Sequence, residues 1–238
     1  MEYSIVEFFA GMRPYTGFFL LTAIWIYLFI YSYRHKVNKP WGFGIILLGD
    51  LVSGYSLSYR NESVVLFSIV PSFIVILIGL QLNVNNIQQL VYVKNIRTIL
   101  FFSGLGLFFG LLLGFSFLVA NVTQYLNVAA TSTTFALVAG SIQNSIAEEF
   151  NDRGFLLGYL RKFGFNPFFA ILVQSLIFAV LHISRYSDNW ALLFFVFLFG
   201  VLAGYITWKS DNLIPASIMH IVVNLFAVVW RLEGGAVL

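Results

Sequence analysis

Two adjacent glutamates, Glu148 and Glu149, stand in the run AEEFNDRG, with Arg153 one helical turn further on. Two histidines follow. His182 closes FAVLH, four residues after Phe178, and His220 opens HIVVN, four residues before Asn224. All lie within or beside apolar runs. At membrane depth a carboxylate or an imidazole is expensive unless it is paired or lines a wet cavity, so such residues mark a functional site by default. The residue types suit the activation of water. A carboxylate hydrogen-bonded to an imidazole takes a proton from water as a general base. An amide and an imidazole N–H aimed at one point form an oxyanion hole. On a helix Glu149 and Arg153 are at i and i+4, the favourable order for an ion pair. Arg153 then neutralises and orients Glu149, while Glu148, about 100° away around the helix, faces His182. Asn224 shares a face with His220, one turn on. Either histidine alone reads equally well as a helix–helix hydrogen bond. It is the whole set that points to hydrolysis of an amide without a covalent intermediate.

These residues need helices to position them. The 238 residues are 60% hydrophobic and 10% charged, against about 25% charged in a soluble domain, and the mean hydropathy is +0.89. The fold class is all-α, a polytopic membrane helix bundle, with residues 1–238 forming a single integral membrane domain. The net charge of +3 comes without a basic stripe interleaved with aromatics, so no nucleic-acid partner is expected. With no cysteine, a disulfide framework, a thiolate nucleophile and Cys-ligated zinc are excluded. Glu2 and Glu7 make an acidic start, unlike the basic leader of a cleaved signal.

About 20 apolar residues are needed to span a bilayer, and eight candidate spans meet or approach that. They run over about 16–33, 41–59, 63–82 and 98–120, from about 128, and over about 167–185, 190–208 and 212–231. The second is weakened by Asp50, Ser53 and Ser56, and the third contains Pro71. The fifth keeps helical periodicity through FLLGYLRKF, so it carries Glu148 well inside and ends at Gly164, just before Asn166-Pro167 opens the next helix. Glu148 and His182 are then each roughly 24 Å from the shared turn and level with one another. His220 and Asn224 stand lower, about 13 and 20 Å up the last helix. Lys and Arg divide eight to four in favour of the loops after odd-numbered spans. This bias puts those loops in the cytoplasm and the site in a cavity open to that side.

AEEFNDRG, FAVLH and HIVVN, in that order, resemble the EExxxR, FxxxH and HxxxN motifs of the type II CAAX prenyl endopeptidase family, also called the CAAX-protease and bacteriocin-processing (Abi) family. The stretch FGVLAGYITWKSDNLIPASIMH is similar to that family as well. The likeness covers about residues 140–230, within a catalytic core of about 128–231. It implies an intramembrane glutamate protease in which Glu148 and His182 activate water, His220 and Asn224 stabilise the oxyanion, and Glu149, Arg153 and Phe178 support them. One departure is Asn151-Asp152 before the arginine, where Asp152 can compete for Arg153. The resemblance implies a lipidated or membrane-bound peptide or protein substrate, met in the lipid bilayer, and a mechanism without metal. Zinc at Glu148, His182 and His220 is the alternative, although the HExxH spacing is missing. Two other functions stay open: a non-enzymatic peptide-immunity or scaffold protein on the same fold, and a transporter with a proton relay through these groups.

Overall fold

The computed structural model describes residues 88–119, 134–162, 164–182 and 189–232, with isolated positions between 26 and 81. The first three candidate spans lie outside the described residues, apart from those positions. Every regular element among the described residues is a helix. A single turn, α1 (Gln88–Val91), precedes α2 (Ile96–Val119). Then α3 (Thr134–Glu149) runs through a π-helical segment, Phe150–Leu156, into α4 (Leu157–Lys162). The chain continues through α5 (Pro167–Leu181), α6 (Trp190–Ser210) and α7 (Ile214–Leu232). Two stretches, Ile96–Ser116 and Trp190–Ser210, are long and apolar enough to cross a membrane; Pro167–Leu181 and Ile214–Phe226 are shorter apolar helices.

Local chemistry sets the boundaries. Asn95 Oδ1 accepts from the backbone N–H of Arg97 and Thr98 and caps α2. Gly164 takes φ +87° after α4, with its own N–H on the Arg161 carbonyl and the Phe165 N–H on that of Leu160. That left-handed step satisfies carbonyls a helix end leaves open. Asn166 then caps α5 by accepting from Phe169 N at 2.9 Å, with Pro167 at the first helical position, where its missing N–H is not needed. The helical stretch over 134–162 runs to this turn, as the periodicity through FLLGYLRKF requires. Its π-helical segment was not expected. It is buried on nearly every side, at Phe150 and from Asp152 to Leu156.

In lipid, apolar side chains gain little by leaving their surroundings, so helices associate through close packing and polar contacts. Helix α2 shows how. Its outer side presents Leu100, Phe101, Phe108 and Phe115, all exposed, an apolar face suited to acyl chains. Its inner side presents Gly106, Gly110 and Gly114 at every fourth position, against Pro215, Met219, Val222 and Phe226 of α7. A Cβ on Gly110 would sit 2.9 Å from the Met219 carbonyl oxygen, so only glycine lets the two backbones approach this closely. Helices α5 and α6 repeat the device, with Gly200 against Ser175 and Gly204 against Ile171. The result wedges α7 between α2 and α3. Leu113, Phe178, Phe199, Ala203 and Met219 form one apolar core around it, and Phe155, Leu157, Tyr159, Ala170 and Ile171 form a second inside the α4–α5 hairpin.

The base of α7 is tied down separately. Asn212 Oδ1 accepts from Ile214 N at 2.9 Å, and Asn212 Nδ2 donates to the Tyr92 carbonyl at 3.2 Å. Leu213 N reaches the Leu90 carbonyl at 2.9 Å. Lys94 pairs with Asp211 at 2.5 Å, and Asp211 takes the left-handed conformation that ends α6.

Candidate active site

The end of α3 brings Glu148 and Glu149 against α7, and His220 stands between them. Its Nδ1 lies 2.7 Å from Glu149 Oε1, and its Nε2 lies 3.5 Å from Glu148 Oε2. A carboxylate only accepts, so Nδ1 carries the proton in that short bond and Nε2 is left facing Glu148. The two acids differ in access. The Glu149 side chain is fully buried, at 0% exposure, whereas that of Glu148 is 28% exposed.

Arg153 supports the buried acid, donating from Nη1 to Glu149 Oε1 at 3.0 Å. Its guanidinium lies over the ring of Phe178, 4.5 Å from the centroid, and near that of Phe199, at 5.5 Å. Flat, weakly hydrated guanidinium stacks on aromatic faces in a way a lysine ammonium does not. Asp152 is buried as well, yet its Oδ2 stands 4.0 Å from Arg153 Nη1, further than Glu149 does. The competing acid is present and takes second place.

His182 is the C-cap of α5. Its Nδ1 is 2.8 Å from the Phe178 carbonyl, and its ring packs on the Phe178 ring with centroids 4.5 Å apart. Phe178 also meets the His220 ring edge-on at 6.2 Å. One aromatic side chain therefore touches both imidazoles and the guanidinium, which explains a phenylalanine four residues before that histidine. Asn224, one turn beyond His220, donates from Nδ2 to Ser145 Oγ at 2.9 Å.

Glu148, Glu149 and His220 thus meet at the α3–α7 contact, Arg153 joins them through Glu149, Phe178 touches Arg153, His182 and His220, and Asn224 is held to α3 through Ser145. Counting residues at about 1.5 Å each puts His220 about 11 Å and Asn224 about 4 Å below the acids. The π-helical segment, Phe150–Leu156, lies between Glu148 and the hairpin turn, and its wider turns take up a small part of that difference. Four features escaped sequence reasoning. The placement of His220 between two acids comes from tertiary packing and has no local signal. Phe199 is one phenylalanine among 27. The Gly106, Gly110 and Gly114 stripe was legible as a small-xxx-small pattern. Asn144 and Ser145, which hydrogen-bond to Glu148 and Asn224, are polar residues in an apolar helix and could have been flagged on that ground. Among the described residues, no group of three His, Asp or Glu side chains is arranged to hold a metal ion.

The described residues form an all-helical fold with two helices long and apolar enough to cross a membrane, in which two acids and an imidazole meet between α3 and α7 and a guanidinium reaches the buried acid. Residues 130–226 match the sequence model of the family described as Type II CAAX prenyl endopeptidase, Rce1-like, and that segment contains the runs AEEFNDRG, FAVLH and HIVVN. Every cluster residue named from the sequence lies inside it. No curated protein and no solved structure matches the chain.

Proposed function

We propose that the chain is an intramembrane endopeptidase that hydrolyses a peptide bond near the C-terminus of a prenylated or otherwise membrane-presented substrate. The observation that carries this reading is His220 bridging an accessible and a sealed glutamate inside the family-matched segment.

Glu148, the accessible acid, takes a proton from water with His182 as its partner. The hydroxide formed attacks the carbonyl carbon of the scissile amide. Asn224 donates a hydrogen bond to the oxyanion of the tetrahedral intermediate, and so does His220 as the imidazolium, from Nε2, its Nδ1–H being held by Glu149. Asn224 has two N–H groups and spends one on Ser145, so one remains. Glu148 returns its proton to the amide nitrogen, the C–N bond breaks, and an acid and an amine leave. Glu149 and Arg153 hold the His220 ring, and Phe178 packs His182 and Arg153 in register. No metal enters these steps.

The substrate's lipid lies in the bilayer among about eight spanning helices, and its peptide enters from the cytoplasmic side. A mass-spectrometric cleavage assay on the purified protein in detergent, with a farnesylated C-terminal peptide, tests this. Glu148→Ala and His182→Ala are expected to abolish product while the protein still folds. Full activity in either purified variant refutes the assigned roles.

A further inference from the structure

Four residues before each glutamate stands a polar side chain that the reaction above leaves unassigned. We infer that Asn144 and Ser145 are positioning residues, Asn144 aiming the carboxylate of Glu148 and Ser145 fixing which way the amide of Asn224 faces. The inference deepens the proposed function and rests on it.

Asn144 Nδ2 donates to Glu148 Oε1 at 2.5 Å. That contact holds one carboxylate oxygen along the helix and leaves Oε2, the oxygen near His220, turned toward the reaction. Asparagine is a poor residue for a helix interior because its side chain competes for backbone groups. Here the amide is used on a side chain one turn on instead.

Ser145 is fully buried, at 0% exposure. Its hydroxyl proton goes to the Ser141 carbonyl at 2.7 Å. A hydroxyl has one proton and two lone pairs, so Ser145 can only accept from Asn224. The amide must therefore turn its nitrogen to Ser145, as found at 2.9 Å, which defines where its second N–H and its oxygen point. A flipped Asn224 would aim its carbonyl oxygen where the nitrogen belongs, and at an oxyanion that contact repels. Ser145 thus selects one of two amide orientations that shape alone does not distinguish. The selecting group sits on α3 and the selected one on α7, so the acid and the oxyanion donor are registered through a single turn of helix.

The competing interpretation is that both hydrogen bonds merely join or stiffen helices. Steady-state cleavage of a farnesylated C-terminal peptide by the purified full chain separates the two. Ser145→Ala and Asn144→Leu are each expected to lower kcat about 10- to 100-fold with KM within about twofold, since the lost contact matters in the transition state and not in substrate binding. Ser145→Thr, which keeps the hydroxyl, is expected to recover most of the kcat. In an Asn224→Ala background, Ser145→Ala is expected to cost little more, because its target is gone. Wild-type kcat in Ser145→Ala and Asn144→Leu overturns the inference. So does an equal loss in Ser145→Ala and Ser145→Thr, or strict additivity with Asn224→Ala. Each of those results leaves the protease reading standing. Failure of the unaltered chain to cleave counts instead against the proposed function, and takes this inference with it.

Discussion

Arg153→Met removes the guanidinium that pairs with the buried glutamate while keeping much of the side-chain volume. In the native protein Arg153 and Glu149 are both sealed, at 0% side-chain exposure, with 3.0 Å between Nη1 and Oε1. Breaking a buried pair by deleting one partner typically costs about 3–5 kcal/mol, because the remaining charge stays buried. Loss of the guanidinium from the Phe178 and Phe199 faces adds about 0.5–2 kcal/mol. His220 still holds Glu149 Oε1 at 2.7 Å, which offsets part of the loss, so a net destabilisation of about 4 kcal/mol is reasonable. For a chain of this size that corresponds to a fall in Tm of roughly 10 °C, read by size-exclusion recovery after heating in detergent. Arg153→Lys should recover only part, since an ammonium can pair with Glu149 but does not stack on the Phe178 and Phe199 rings as the flat guanidinium does. Adding Glu149→Gln to Arg153→Met should restore much of the Tm but none of the cleavage, because the uncompensated charge is gone while the hold on His220 is weakened. An unchanged Tm in Arg153→Met, or full recovery with lysine, would refute the reasoning.

Other perturbations probe different parts of the structure. Gly110→Leu forces a side chain into the Met219 backbone and the Val222 side chain; it is expected to separate α2 from α7 and to lower both Tm and cleavage, whereas Gly104→Leu, with open space around it, is expected to leave both near wild type. Asn224→Ala removes an oxyanion donor and is expected to lower kcat by about 10²–10³-fold with KM little changed. A strong chelator is expected to leave cleavage unaltered; loss of activity restored by added zinc would instead make Glu148, His182 and His220 metal ligands.

Helices α2 to α7 were legible because the signals that set their limits are local. Asn166-Pro167 opens α5 and Gly164 closes α4 through groups within four residues of one another. The candidate site residues stand out in the sequence for a different reason. An ionisable side chain among apolar neighbours is rare enough to stand out, and three motifs in order select the same few positions. Partner assignments were harder to read. Helical spacing pairs Glu149 with Arg153, as found, but it cannot show that His220 lies against both acids, since that depends on how α3 packs against α7. Asn144 and Ser145 carry no comparable signal in the sequence, since asparagine and serine in membrane helices often only join helices, and their hydrogen bonds to Glu148 and Asn224 distinguish them.

The central claim is that Glu148 activates water to cut a lipidated peptide. Incubation of the purified chain with a farnesylated C-terminal peptide, beside its Glu148→Gln variant, measures this directly by mass spectrometry. The expected result is release of the C-terminal fragment by the unaltered protein and none by the variant, with matching Tm values. Equal fragment release by both, or none by either, would contradict it.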